Sequence, residues 1–223
     1  MSEKTPSLQE IAYEHIRQDI IYCRLTPGQK ISIRSLEERL EVGRTPIREA
    51  LVMLGQQDLV YTVPQSGTYV SRIRLQNAEN SRFVREHLEA SVAVECSARI
   101  SAEGCSELQQ LLDLQQQAVD ARDAATFFAL DNRFHETLFA IAGRHDIWRW
   151  IDASNTNLDR FRWLRTQVSG LDWDVIMKQH RQLYRALAEH NTEEVSYLTT
   201  AHLHLMTAEQ AAVLSAFPDF FED

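Results

Sequence analysis

Ile31-Ser32-Ile33-Arg34-Ser35-Leu36-Glu37-Glu38-Arg39-Leu40-Glu41-Val42-Gly43-Arg44-Thr45-Pro46-Ile47-Arg48-Glu49-Ala50-Leu51 reads as two short helices meeting at a tight turn. Ser32 or Ser35 is placed to cap a short helix from Leu36 to Leu40. Val42-Gly43-Arg44 makes the turn. Thr45-Pro46 opens the next helix, with Thr45 as N-cap and Pro46 at the first helical position, where a missing amide costs nothing. That helix runs on from Ile47 through Leu54.

Outward from this stretch, residues 8–23 give one amphipathic helix carried by Ile11, Ile16 and Ile20, closed by the turn residues Thr26-Pro27-Gly28. On the other side, Val60–Val63 and Thr68–Ser71 are strand-like and flank the turn Pro64-Gln65-Ser66-Gly67. Helix, short helix, turn, helix, hairpin is the order of a winged helix-turn-helix, whose third helix enters the DNA major groove by its N-terminal end. Arg44 precedes that end and Arg48 lies in its first turn. Guanidinium pairs with guanine O6 and N7 or bidentately with phosphate. The helix N-terminus adds amide donors and a positive dipole, and Gly67 lets the wing backbone approach a duplex closely.

The remainder of the chain is different in kind. Residues 1–75 hold 10 Lys/Arg against 9 Asp/Glu, whereas residues 76–223 hold 13 against 23, so the net charge of −9 belongs to the second part. Four of the five prolines fall before Thr68, and from there to Phe217 there is none. These shifts place a boundary near 72–78, with a winged helix-turn-helix over 1–75 and an all-α bundle over 76–223. Apolar spacing of three to four predicts about six helices there, near 77–101, 105–121, 124–142, 145–168, 172–189 and 192–215. The fold class is mostly α. With 44% hydrophobic residues the 223-residue chain can build a real core. No apolar run approaches a membrane span, and Met1–Pro6 lacks the pattern of a signal peptide. Three widely spaced cysteines (Cys23, Cys96, Cys105) fit buried thiols in a reducing cytoplasm rather than a disulfide framework.

Four ionisable residues fall on the apolar stripes of the bundle. Asp131 and His135, at i and i+4, share a helix face with Phe127, Phe134 and Leu138. His180 lies between Ile176 and Leu183, and His202 between Leu198 and Leu205; His204, two residues on, cannot also point inward and is read as solvated. A buried carboxylate needs a partner. Three imidazoles and one carboxylate suit zinc or another borderline divalent ion; the alternative is hydrogen-bonded core histidines and an Asp131–arginine pair. Arg85, at the edge of an apolar face, is either paired with Glu89 or a neighbouring acid, or a bidentate clamp for an acidic ligand. Arg133, Asn157 and Arg165 are further pocket candidates. Trp148, Trp150, Trp163 and Trp173 are expected in packing. His15, His87, His145 and His190 are expected at the surface or at helix ends. No nucleophile constellation or general base stands beside the metal candidates, which argues against an enzyme.

The stretch from Ile31 to Leu51, continued by Leu54, Leu59-Val60 and Ser66-Gly67-Thr68-Tyr69-Val70, resembles the DNA-binding signature of the GntR family of bacterial transcription regulators over about residues 8–73. The resemblance implies that Arg34, Arg44 and Arg48 contact an operator, with Thr45 on phosphate and Gly67 at the wing tip. Gly43 stands where serine is usual, removing one phosphate contact. Asp58 stands where glycine ends the third helix, and aspartate tolerates the left-handed conformation needed there. Over about residues 76–210, Phe83-Val84-Arg85-Glu86-His87-Leu88-Glu89-Ala90, Asp131-Asn132-Arg133-Phe134-His135, His180-Arg181-Gln182-Leu183-Tyr184-Arg185-Ala186-Leu187 and His202-Leu203 resemble the FCD effector domain of the FadR-type branch. Six helices rather than seven point to its VanR-like subgroup. This resemblance implies that Asp131, His135, His180 and His202 hold a divalent metal ion, zinc before nickel, manganese or iron, beside a pocket for a small carboxylic or sugar acid. It implies a cytoplasmic homodimeric repressor on a short inverted repeat of double-stranded DNA; the alternative is a regulator with a silent or non-acid-sensing domain. The acidic aromatic tail Phe217–Asp223 has no reading at this level.

Overall fold

A computed structural model describes residues 6–222. The chain divides into two compact units, one running through Leu75 and joined by the tail from Phe217, the other spanning Gln76–Ala216.

In the first unit, helices α1 (Leu8–Ile21), α2 (Ile33–Leu40) and α3 (Arg44–Gln56) precede strands β1 (Val60–Val63) and β2 (Gly67–Val70). Ser7 and Glu10 cap α1 reciprocally, which fixes its start at Leu8. Ser32, of the two serines weighed, caps α2 by accepting from the Ser35 amide. The α3 N-cap is Gly43 rather than Thr45, so Pro46 sits third in the helix, still within the turn whose amides have no intrahelical acceptor. Asp58 follows α3 at φ 57°, the left-handed conformation expected of it. Ala12, Ile16, Ile20, Leu36, Ile47, Ala50, Leu54, Leu59 and Val70 form the core. At its margin the buried carboxylate of Asp19 is met by Arg24 (2.6 Å) and Arg39, tying α1 to α2. The hairpin register pairs Val60 with Val70 and Val63 with Gly67.

The tail, left with the bundle by the sequence boundary, is instead part of this first unit. The Ile73 amide donates to Phe220 O (2.8 Å) and the Glu222 amide to Ile73 O (3.0 Å), a short parallel pairing that buries Phe221. Arg74 donates to both Glu222 carboxylate oxygens at 3.1 Å.

The second unit contains α4 (Leu75–Arg99, its first residue at the boundary), α5 (Ala102–Asp120), α6 (Ala124–Ile141), α7 (His145–Ser154), α8 (Thr156–Gln167), α9 (Trp173–Ala188), α10 (Thr192–Leu203) and α11 (Leu205–Ala216). The six predicted runs are present, but two are broken, giving eight helices among the described residues. The run 145–168 breaks at Asn155, where the Ser154 hydroxyl donates back to the Trp150 and Ile151 carbonyls and the Asn155 amide reaches only Asp152 O. Such back-bonding competes with the helix ladder and bends it. The run 192–215 breaks at His204, without proline or glycine, where the Thr207 amide bonds three residues back.

Helix α5 packs on α6 and α9, α9 on α10, and α11 on α8. Their shared core includes Val92, Leu108, Phe127, Phe134, Leu138, Met177 and Leu183. Trp148 is buried and Trp173 stacks on Phe127 (5.0 Å), as packing predicts, but Trp150 is 71% exposed. All three cysteines are free thiols. Cys96 is buried, its pKa pushed up to about 12 by burial, while Cys23 and Cys105 are only partly covered.

Candidate metal centre and DNA-reading surface

Helix α6 brings Asp131 and His135 one turn apart on its inner face. Helix α9 supplies His180 and α10 supplies His202, and one ligand atom from each of the four lies within 4.8 Å of all the others. The Nε2 atoms face one another: His202 to His135 at 3.2 Å and His202 to His180 at 3.4 Å. Asp131 oxygens lie 3.9 Å from His135 Nε2 and 3.6 Å from His180 Nε2.

The opposite ring nitrogens are held from outside. His180 Nδ1 donates to Gln115 Oε1 (3.1 Å) and His202 Nδ1 to Gln179 Oε1 (2.9 Å). His135 Nδ1 lies 2.8 Å from Glu89 Oε2. An amide oxygen only accepts, so Nδ1 carries the proton and Nε2 presents a bare lone pair inward. Two lone pairs, the His135 ring edge and a carboxylate thus converge on one point, an arrangement that a cation at its centre would relieve. The donor set fits a divalent ion, and outer partners that fix tautomer and ring orientation are what such sites require.

The electrostatics agree. Burial pushes His180 down to about 3, with His135 and Arg162 in the same direction and Asp131 opposing. Burial, His180 and His135 hold His202 well below its ordinary value. Burial alone would raise the Asp131 carboxyl, but Arg162 and then the three histidines hold it below the usual carboxylate range. Glu89 is likewise held low against burial by Arg85 and His135. Both acids are therefore anions and the His180 and His202 imidazoles neutral, the protonation states of metal ligands and their outer partners.

Beside the centre is a cavity of about 70 Å³, lined by Asp131, His202 and apolar side chains including Phe127, Phe161 and Met206, and by Arg82, Arg85, Arg162 and Arg165. Arg85 is fully buried and paired with Glu89, the structural alternative foreseen for it, yet it also lines the cavity, and its Nη2 is buried without a partner. Arg165 is held by Glu209 (2.7 Å) and the Asp172 carbonyl, with Nη1 similarly unpartnered. Arg133 is not in this site: it is 54% exposed and pairs with Glu136 and Glu107. Asn157 is buried and accepts from Arg160, away from the cavity lining. Sequence reasoning missed Arg162, which pairs with Asp131 and donates to Asn132 and Asp159, and Arg82, paired with Glu86. The Asp159–Arg162 spacing of three residues was the one available signal. His204 is 55% exposed, as expected, and lies 3.1 Å from Glu86.

In the first unit Arg44, Thr45 and Arg48 are exposed on the first turns of α3, whose N-terminus has no side-chain cap. Its free amides, with two guanidiniums alongside, form an anion-binding end of the kind that phosphate takes. Arg34 is exposed on α2, donating to Glu38 (3.0 Å). Gly67 opens β2 at φ 143°.

Residues 8–70 match the family model of the bacterial regulatory proteins of the gntR family, and residues 82–205 match that of the FCD domain. The chain is 29% identical to the HTH-type transcriptional repressor RspR of Escherichia coli K12, over 98% of this chain and 96% of that one. It is 28% identical to an HTH-type transcriptional regulator in an unstable DNA locus of Streptomyces ambofaciens, over 94% and 87%. Among solved structures it is similar in fold to E. coli McbR/YncC (TM-score 0.81, 17% identity, 96% and 100% covered). A GntR regulator from Rhodococcus sp. RHA1 is similar too (TM-score 0.74, 21% identity, 95% and 99% covered). A winged head with cations on its recognition helix, joined to a helical FCD domain, is a DNA-reading device and not an enzyme: the chain belongs to the GntR family of bacterial transcription regulators, in its FadR-type branch.

Proposed function

We propose that this regulator is a homodimeric repressor that reads a short inverted repeat and is switched by a small carboxylic or sugar acid bound beside a divalent metal. The observation that carries the sensing half is the cavity. It joins the Asp131, His135, His180 and His202 cluster to buried guanidinium donors of Arg85 and Arg165 that have no partner inside the protein. Buried donors left unmade are costly, and an acid supplies the missing acceptors bidentately. Asp131 and the three histidines would hold the ion, zinc being the choice that a three-imidazole, one-carboxylate set favours. When bound, the ion would supply Lewis acidity toward a ligand oxygen. The chain's own residues orient the imidazoles through Glu89, Gln115 and Gln179, exclude water with Phe127 and Phe161, and present Arg85 and Arg165 to the opposite side of the ligand.

In the first unit, Arg44 and Arg48 read base edges, Arg34 and Thr45 contact the backbone, and Gly67 brings the wing close. The exposed Phe83, Val84 and Leu88 on α4 support a second copy as partner. A two-fold protein reads a two-fold site. No helix among the described residues is long and apolar enough to cross a membrane, and regulation of DNA implies the cytoplasm.

The test is thermal unfolding against a panel of small carboxylic and sugar acids, with and without chelator. A ligand at about 100 times its Kd stabilises by roughly 2.7 kcal/mol. The reading expects a rise in Tm with at least one acid, abolished by chelator and by Arg85→Ala. Stabilisation by no acid in the metal-loaded protein overturns acid sensing.

A further inference from the structure

Residues 28–31 lie as a third extended edge against β2. The Gly28 amide donates to Val70 O (2.9 Å), the Val70 amide to Gln29 O (2.9 Å), and the Ile31 amide to Thr68 O (2.8 Å), with Lys30 opposite Tyr69. This ladder fixes the backbone of Lys30 to the wing. Its side chain then runs across Gly67. A Cβ on residue 67 would lie 2.7 Å from Lys30 Cε and 3.5 Å from Nζ, so the lysine stem lies directly over the glycine and a side chain there would push it aside. Gly67 therefore adopts φ 143° and leaves open the path that the Lys30 stem takes to the end of the hairpin.

The pattern of pairing singles out the same lysine. Arg24 and Arg39 share Asp19, Arg34 has Glu38, and Arg74 has Glu222 and Asp58. Exposed Lys30, Arg44 and Arg48 have no carboxylate partner among the described residues. Two of these three lie at the N-terminal end of the recognition helix, and the third is held on the wing.

We infer that Lys30 is a DNA-backbone contact of the wing, its ammonium on a phosphate and its position set by Gly67 and the ladder to β2. An ammonium is a compact point charge, so it adds affinity without choosing sequence. The experiment uses the full chain and two duplexes of about 30 base pairs, one arbitrary and one selected from a random pool, titrated across salt concentrations. Lys30→Gln is expected to reduce the slope of log K against log salt by about 0.9 per protomer on both duplexes, leaving the ratio of the two affinities unchanged. Lys30→Arg restores the slope. Lys178→Gln makes the same charge change at an exposed residue of the bundle and leaves the slope at the wild-type value. A wild-type slope in Lys30→Gln overturns the inference, as does an equal loss in Lys178→Gln. A changed affinity ratio overturns the assignment to phosphate.

Discussion

Asp131 is held from two sides, by Arg162 of α8 and by the imidazoles of His135, His180 and His202. Glu89 performs the matching task behind His135, itself neutralised by Arg85. Outer partners of this sort orient the ligand ring, and losing one costs metal affinity 10–100-fold. Glu89→Gln is expected to weaken metal binding by about that factor in a competition titration with a chelating dye. The histidines also set a pH dependence. Folded His180 titrates near 3 and His202 well below its ordinary value, against about 6.5 when unfolded. Between those values the unfolded chain takes up protons that the folded bundle refuses. Their contribution to stability is therefore full above about 6.5 and is lost as pH falls towards 3. Asp131 and Glu89, held low, act in the same direction further into acid. With chelator present, the urea midpoint of the bundle should fall between about pH 6.5 and 5, and less steeply in His180→Gln. A flat profile in the wild type would contradict this. Asp131 with His135, and His180 and His202 on apolar stripes, were legible from spacing because burial of a charged type on a periodic face is visible in sequence. Arg133 was misread because it stands two residues from Asp131, which turns it to the opposite face of α6. Arg162 was not legible because nine of the twelve residues of α8 are buried, leaving no polar face to rank Arg160, Arg162 and Arg165.

The recognition helix begins at Arg44, the first of its arginine pair, with Gly43 as a cap that offers no side-chain acceptor. Its amides stay available to a phosphate. Arg48→Ala is expected to lower affinity for a selected operator by about 1–3 kcal/mol and to relax sequence choice, read by fluorescence anisotropy; unchanged binding would sink the assignment. The order of α1 to β2 was legible because caps and turn residues punctuate it, though α2 starts three residues before Leu36 and Gly43, not Thr45, caps α3. The boundaries of α7–α8 and α10–α11 were not: a serine bonding back to its own helix and a kink imposed without proline leave the apolar period unbroken. The tail was illegible for another reason, since its partner, Ile73, lies some 150 residues away in the chain. Phe221→Ala should free this pairing. The Ile73 amide then exchanges with solvent markedly faster, while amides inside α3 keep their protection. Equal exchange at Ile73 in variant and wild type would show that the aromatic anchor does not hold the strand.

Charge divides the molecule by task. The first part is close to neutral with exposed cations on the first turns of α3, and the second part carries the negative excess. An acidic overall balance thus coexists with nucleic-acid recognition because attraction to phosphate acts over about 10 Å at ordinary salt and is decided locally. For the bundle to act as a sensor, ligand must bind one arrangement of the paired heads more tightly than another. The exposed apolar side chains of α4 give the pairing a testable basis: Phe83→Glu with Leu88→Glu should shift sedimentation from dimer to monomer and weaken operator binding. The metal centre is the feature on which sensing depends most. The direct measurement is metal content by mass spectrometry of protein reconstituted with zinc and dialysed, for wild type and His135→Ala. The account predicts one ion per chain in the wild type and none in the variant, with helical circular dichroism and DNA binding to arbitrary duplex retained. A wild type that keeps no ion, or a variant that keeps it at the same stoichiometry, would contradict it.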